Sequence, residues 1–152
     1  IKGRHILIIG GSSGIGLSSA EYALSLGAVV TIAARDVVKL ERAAARICSK
    51  YPGSQQRLFT QSLNVATGYE AIKQGISEAE SKAGPIYMLI NCAGTAICGK
   101  LEDMSEKDVK WLTDLNFLGS LWATKIMLPS MKERGEGSIV LVSTQAALLG
   151  LF

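Results

Sequence analysis

The sequence predicts an α/β domain in which a doubly wound parallel β-sheet is covered by helices on both faces. Five short apolar runs bounded by turn residues recur along the chain, and segments with helical periodicity separate them. Strands that alternate with helices form right-handed βαβ units, which make the strands parallel. The chain has 152 residues, of which 48% are hydrophobic and 19% charged. This composition is that of one globular domain with a buried core.

Local signals predict the strands and the first two helices. The predicted strands cover residues 5–9, 29–33, 58–63, 86–91 and 138–143. Residues 15–26 have helical periodicity and end at Gly27, a typical C-cap. Residues 37–50 follow Asp36, a good N-cap. We therefore expect α-helices at both segments.

Capping motifs predict two further helices. Thr67 and Glu70 have the spacing of a capping box and predict the start of the third helix. Ser105 and Asp108 have the same spacing and predict the start of a long fourth helix that extends towards Met131.

The last apolar run, SIVLVS (138–143), predicts an interior strand because it is apolar on both faces. The chain ends soon afterwards on the apolar tail ALLGLF. An interior strand left at a sheet edge without a covering helix promotes aggregation. We therefore expect the natural protein to continue beyond Phe152, with residues 1–152 forming the N-terminal portion of a longer domain.

Composition argues against several classes of protein. The net charge of +3 is small and the basic residues are scattered, so we expect no nucleic-acid partner. Three cysteines without CxxC spacing and one histidine offer no zinc set, so we expect no metal site and reduced thiols. No apolar run approaches the roughly 18 residues of a membrane span, which places any membrane anchor outside this chain.

The stretch ILIIGGSSGIG (6–16) fits two kinds of site. Gly10 to Gly14 match G-x-S-x-G, the turn that exposes a nucleophilic serine, here Ser12, in α/β hydrolases. Gly10, Gly14 and Gly16 also form a loop between a strand and a helix, which is the context of a dinucleotide site. A hydrolase needs a histidine after the serine, whereas His5 precedes it. The sequence favours the nucleotide loop, unless a histidine follows Phe152.

The end of the second strand, AARD (33–36), bears on the choice of cofactor. A dinucleotide fold contacts the adenosine ribose there, and an acidic residue would bind the 2′-hydroxyl of NAD. Arg35, with Lys39 one helical turn on, suits the 2′-phosphate of NADP. The alternative is a solvated charge at a helix start, and the neighbouring Asp36 opposes NADP.

Several motifs in order resemble the short-chain dehydrogenase/reductase family. These are GGSSGIG (10–16), LNV (63–65), NCAG (91–94), LNFLG with Asn116, and the strand IVLVST with its hydroxyl residues. The resemblance implies a Rossmann-type fold and hydride transfer between a nicotinamide and a ketone.

The resemblance also implies roles for individual residues. The pyrophosphate would lie against Gly10, Ser12, Ser13, Gly14, Ile15 and Gly16. The 2′-phosphate would bind Arg35 and Lys39, Asn64 and Val65 would flank the adenine, and Asn91, Ala93 and Gly94 would form the floor under the ribose.

The implied catalytic residues are incomplete in this chain. Asn116 would bind a water, and Thr144, with Ser143 before it, would polarise the carbonyl. The tyrosine and lysine of the family's Y-x-x-x-K motif would lie past Phe152. The Y-x-x-x-K at Tyr69 to Lys73 precedes NCAG, and we interpret Tyr69 as a packing residue.

The sequence departs from the family at three positions. The family's threonine before the first loop glycine is Ile9, its aspartate at the adenine contact is Asn64, and its catalytic serine is Thr144.

Within the family, three further stretches resemble the members that reduce 3-ketosphinganine to sphinganine with NADPH. They are GPIYMLINCAG (84–94), MKERGEGSIV (131–140) and STQAALLGLF (143–152). This implies a lipid-like ketone substrate and a location on the cytosolic face of the endoplasmic reticulum membrane. The alternatives are a reductase of a steroid, retinoid or fatty acyl ketone, and a non-catalytic nucleotide-binding scaffold.

Two segments are candidates for contacts beyond the cofactor. Residues 95–104 follow the fourth strand at the edge where α/β sheets bind ligands, so they are candidates for the substrate pocket. The fourth helix carries Trp111, Leu115, Leu118 and Trp122, which form either a homodimer surface or part of the core.

Overall fold

The computed structural model describes residues 1–148 and contains a parallel sheet of five strands. The strands lie in the order β3-β2-β1-β4-β5. Their bounds are β1 His5–Ile9, β2 Val29–Ala34, β3 Leu58–Ser62, β4 Ile86–Asn91 and β5 Ser138–Leu141. The helices are α1 Gly14–Ser25, α2 Val37–Lys50, α3 Tyr69–Ala83, α4 Glu106–Leu112 and α5 Gly119–Arg134. The predicted doubly wound α/β fold is confirmed.

Two apolar clusters, one on each face of the sheet, form the core. Successive side chains of β1 point to opposite faces, so Leu7 and Ile9 join one cluster while Ile6 and Ile8 join the other. Helices α1 and α2 cover the Ile6 face, and α3 and α5 cover the Leu7 face. The three central strands β1, β2 and β4 are covered on both faces and are nearly continuous apolar runs, which is why their starts were predictable.

The predicted capping box at Thr67 and Glu70 is wrong. Helix α3 begins at Tyr69, after Gly68, which has a φ of +105° and provides no side-chain cap. Thr67 instead ends a short 3-10 helix, Val65–Thr67, and its hydroxyl donates to the Asn64 carbonyl at 2.6 Å. The Thr67 hydroxyl is therefore engaged in this local turn and does not cap α3.

The long fourth helix extends beyond its predicted length but is not uniform. Ser105 caps its start, accepting from the Asp108 amide at 3.1 Å as predicted. After α4 the chain passes through a π-helical segment, Thr113–Leu118, and continues as α5 to Arg134. The π segment contains Asn116.

Strand β5 lies at the edge of the sheet that residues 1–148 form. Its apolar side chains are partly exposed, with Leu141 at 56%. The expectation that a further segment covers this strand stays a prediction, and residues 149–152 of the apolar tail lie outside the described residues.

Candidate cofactor-binding site

A cleft of about 400 Å³ opens at the carboxyl ends of β1, β2 and β4. The strand order reverses there, because β1 is followed by β2 on one side and β4 lies on the other. Open α/β sheets bind ligands at such a point, and the volume suits a small-molecule site. The lining residues that the sequence singled out are Gly10, Ser12, Ser13, Gly14, Ile15, Gly16, Arg35, Lys39, Asn64, Val65, Ala93 and Gly94.

The glycine loop is shaped by close approaches of the backbone. Gly10 has a φ of +84°, and a Cβ there would lie 2.7 Å from the Ala93 amide nitrogen. A Cβ on Gly16 would overlap the Gly10 carbonyl. Neither position can hold a larger residue without moving the loop away from its neighbours.

Backbone hydrogen bonds hold the loop where the family has a threonine side chain. The Gly10 amide donates to the Ala33 carbonyl at 2.8 Å, and the Ile9 carbonyl accepts from the Cys92 amide at 2.8 Å. Ile9 itself is buried in the core. The loop is therefore anchored to both neighbouring strands without a hydroxyl at residue 9.

The N-terminus of α1 points into the cleft without a side-chain cap. The N-cap Ser13 is extended and makes no capping hydrogen bond, and the first turn contains no acidic residue. The first amides of a helix lack intrahelical acceptors and carry a partial positive charge. This end of α1 is therefore suited to bind an anionic group such as a pyrophosphate.

The structure separates Ser12 from the single histidine. His5 starts β1, at the end of the strand opposite the cleft, and burial lowers its pKa. Its Nδ1 donates to the Gly84 carbonyl at 2.7 Å, so the neutral ring accepts from the Thr31 hydroxyl through Nε2 at 2.8 Å. His5 therefore cannot act as a base for Ser12. Because residues 1–148 contain no other histidine, they do not form the catalytic site of a hydrolase.

Three charged residues, Arg35, Asp36 and Lys39, line the cleft beyond the end of β2. Asp36 caps α2, because its carboxylate accepts from the Lys39 amide at 3.0 Å, and it lies 3.8 Å from the Lys39 ammonium. Arg35 makes no ion pair within residues 1–148. Lys39 is thus paired with Asp36, whereas the Arg35 guanidinium is not paired with a carboxylate of the described residues.

Asn64 and Val65 also line the cleft, and they are held in different ways: Asn64 by a hydrogen bond and Val65 by packing. The Asn64 Oδ1 accepts from the Ala66 amide at 3.1 Å, so the side chain caps the following turn. Val65 is almost fully buried, and a Cβ on Gly119 would lie 2.8 Å from its Cγ2. Val65 thus joins the cleft wall to the start of α5.

Asn91 lies behind the cleft floor, whereas Ala93 and Gly94 line it. The side chain is 3% exposed. Its Nδ2 donates to the Ser120 hydroxyl at 2.8 Å, and its Oδ1 accepts from the Ala93 amide at 3.3 Å. Asn91 thus supports the floor through the Ala93 amide and does not line the cleft itself.

Asn116 holds the chain that follows the floor. Its Oδ1 accepts from the Thr95 amide at 3.0 Å, and its Nδ2 donates to the Thr95 carbonyl at 2.9 Å. The Asn116 carbonyl accepts from the Ser120 hydroxyl at 3.3 Å. Asn91, Ser120, Asn116 and Thr95 therefore form one connected network between β4 and the π segment.

Ser143 and Thr144 follow β5 and are exposed. The Thr144 hydroxyl oxygen accepts from the Ala146 amide at 3.2 Å. That bond uses a lone pair and leaves the O–H free to donate. The Thr144 hydroxyl can therefore still donate a hydrogen bond to a carbonyl oxygen.

The packing interpretation is correct for Tyr69 and for the aromatic residues of the fourth helix. The Tyr69 ring meets the Trp122 ring edge-on, with centroids 5.7 Å apart, and neither Tyr69 nor Lys73 lines the cleft. Leu115 belongs to the core, and Trp111 and Trp122 pack against the same cluster. Core packing is thus observed for Leu115, Trp111 and Trp122, and a homodimer through the long helix stays a prediction.

Sequence reasoning did not assign to the cofactor site several residues that line the cleft. They are Ile9, Ala34, Asp36, Leu63, Cys92, Thr95, Leu115 and Val142. Most of them end a strand or directly follow one, so the strand ends were the available signal. Cys92 is among them, and burial raises the pKa of its thiol. Of the candidate substrate segment, Thr95 reaches the cleft, while Ile97 and Leu101 are exposed.

Comparison with known proteins decides the family. A family model described as short chain dehydrogenase matches residues 4–152. The chain belongs to the short-chain dehydrogenase family. Members of the short-chain dehydrogenase family are oxidoreductases that use nicotinamide cofactors, in agreement with the position of the cleft.

Curated relatives and a solved structure are similar along the whole chain. The 3-dehydrosphinganine reductase of Danio rerio and the 3-ketodihydrosphingosine reductase of Mus musculus are each 38% identical over 152 residues. Each match covers 100% of this chain and 46% of the relative, so the chain spans under half the length of these relatives. A crystal structure of a short-chain dehydrogenase from Streptomyces avermitilis has a TM-score of 0.84 at 31% identity and covers 97% of this chain and 51% of that chain. Within residues 1–148, we find no helix with the length and apolar character needed to span a membrane.

Proposed function

We propose that this chain binds NADPH and belongs to a reductase that converts 3-ketosphinganine to sphinganine. The observation that carries the cofactor assignment is the cleft, which brings the uncapped N-terminus of α1 and the unpaired Arg35 guanidinium to its two ends. The similarity to two reductases named for this substrate supports the substrate class.

The residues present fit a dinucleotide phosphate. A Cβ on Gly14, which lines the cleft, would meet nothing within 4 Å, so there is open space for a pyrophosphate beside the first amides of α1. Arg35 and Lys39 supply donors for a 2′-phosphate, and Asn64 and Val65 border the adenine end. Bound NADPH supplies the hydride that reduces a ketone carbon.

Two of the chain's own residues, neither of which lines the cleft itself, are the candidates for the reacting end. Asn116 fixes the backbone at Thr95, and Thr144 offers a free O–H for a ketone oxygen. The tyrosine and lysine expected after Phe152 stay a prediction, which sequencing the transcript past that residue tests. Finding no Y-x-x-x-K within about twenty residues would favour the non-catalytic scaffold.

Titration with NADPH and NADH tests the cofactor assignment. We expect wild-type protein to bind NADPH more tightly and Arg35→Ala to lose about tenfold or more of NADPH affinity, because a hydrogen bond to a charged group contributes about 1.5–3 kcal/mol. Arg42→Ala is the control, since Arg42 is an exposed arginine of α2 that does not line the cleft. Equal wild-type affinities for the two cofactors would overturn the assignment.

Oxidation of NADPH on addition of 3-ketosphinganine, measured with the full-length protein, tests the substrate.

The location and assembly of the protein are part of the same proposal. We place it on the cytosolic face of the endoplasmic reticulum membrane, the location that the resemblance in sequence implies. For a homodimer through the long helix, the exposed side chains are Phe117, Leu121 and Leu128. Sedimentation of Phe117→Glu against wild type tests this surface, and unchanged association would exclude it.

A further inference from the structure

The Arg35 side chain lies between the cofactor cleft and an aromatic ring from a distant part of the chain. Arg35 follows β2 directly, lines the cleft and is exposed. Its Cζ lies 5.6 Å from the centroid of the Trp111 ring in α4. This distance is within the range of about 6 Å in which an indole attracts a guanidinium.

Trp111 is a fixed surface on which the arginine can rest. The indole packs against the apolar cluster on the Leu7 face of the sheet, so one side of the ring is anchored in the core. The start of α4 is capped by Ser105. A ring held in this way does not follow the arginine when it moves, and the contact therefore restricts the arginine rather than the tryptophan.

The contact with Trp111 leaves the arginine free to bind an anion. A guanidinium that lies over an aromatic ring uses its flat face, and its N–H groups remain at the edge. The nearest carboxylate in sequence, Asp36, accepts from the Lys39 amide and lies 3.8 Å from the Lys39 ammonium. No ion pair within residues 1–148 uses the Arg35 charge.

We propose that Trp111 is a positioning residue that holds Arg35 at the cleft edge and so increases selectivity for the 2′-phosphate of NADPH. The inference rests on the proposed NADPH function. A free arginine side chain loses conformational entropy when it binds a phosphate, and a prior contact with the indole reduces that loss. At an exposed site this effect corresponds to about two- to fivefold in affinity.

Two nucleotides isolate the 2′-phosphate from the rest of the cofactor. Calorimetric titration with 2′,5′-ADP and with 5′-AMP gives the ratio of affinities that the phosphate produces. We expect Trp111→Leu to lower this ratio about two- to fivefold, and Trp111→Phe, which keeps an aromatic face, to retain most of it. Trp122→Leu is the matched control, because Trp122 packs against the same cluster but lies under Lys125 and beside Tyr69.

The two tryptophans of the chain permit a second measurement that leaves Trp111 intact. In Trp122→Phe, Trp111 is the remaining tryptophan of the 152 residues. We expect its emission to change on titration with 2′,5′-ADP, to change less with 5′-AMP, and not to respond to the 2′-phosphate in the Arg35→Ala background.

The outcomes distinguish this inference from the function on which it rests. A ratio that falls in Arg35→Ala but stays at the wild-type value in Trp111→Leu, with Trp111 emission unaffected by the 2′-phosphate, would overturn the role of Trp111 alone. A ratio that stays unchanged in Arg35→Ala would overturn both the NADPH assignment and the role of Trp111. In the double variant, Trp111→Leu should have no further effect once Arg35 is absent.

Discussion

Asp36 should oppose NADPH binding while it stabilises the fold, and two substitutions separate these effects. Its carboxylate lines the cleft beside Arg35 and caps α2 at the Lys39 amide, 3.0 Å away. Asp36→Asn keeps the cap, because asparagine caps as well as aspartate, and removes the negative charge. An exposed charge interaction contributes about 0.2–1 kcal/mol, so we expect NADPH to bind Asp36→Asn up to about fivefold more tightly. NADH has no 2′-phosphate and should bind unchanged.

Asp36→Ala removes both the charge and the cap. We expect the same gain in NADPH affinity and a fall of about 1 kcal/mol in the free energy of unfolding, which lowers Tm by roughly 2–4 °C. The assays are calorimetric titration at low salt, where exposed charges are least screened, and thermal unfolding of the three proteins. If Asp36→Asn binds both cofactors as wild type does, the reasoning from charge at this end of the cleft is refuted.

Two other predictions concern the loop and the single histidine. Gly16→Ala should weaken NADPH binding more than tenfold, because the new Cβ overlaps the Gly10 carbonyl. Gly99→Ala is the control, since its Cβ meets open space and the variant should bind NADPH normally. Equal affinities of the two variants in a titration would contradict the loop geometry. Burial lowers the pKa of His5, so the unfolded chain takes up its proton first and stability should fall as pH drops below about 6.5. Urea unfolding between pH 7.5 and 5.5 measures this slope, which His5→Gln should flatten; a flat wild-type profile would argue against a neutral buried ring.

The sequence predicted what local pattern controls and missed what distant contacts control. The three central strands are nearly continuous apolar runs, and all five strands start where the sequence indicates. Thr67 has the spacing of a capping box, but a bond to the Asn64 carbonyl competes for its hydroxyl, and nothing in the spacing shows which bond forms. The contact of Arg35 with Trp111 joins residues from different βαβ units, and neither residue carries a local signal for it.

The π segment explains how one helix serves both the cleft and the core. Helix α4 presents Trp111 to Arg35, and α5 presents Met127 to the apolar cluster. A π turn holds one residue more than an α turn, and each residue of an α-helix advances by about 100° around its axis, so a regular α-helix over Thr113–Leu118 would rotate α4 against α5 by about that angle. With Met127 kept in the core, Trp111 would then turn away from the arginine. The irregular turn thus sets the phase between the two halves of the helix, and inserting one residue after Leu112, which adds about 100° between Trp111 and Met127, should lower selectivity for the 2′-phosphate as Trp111→Leu does.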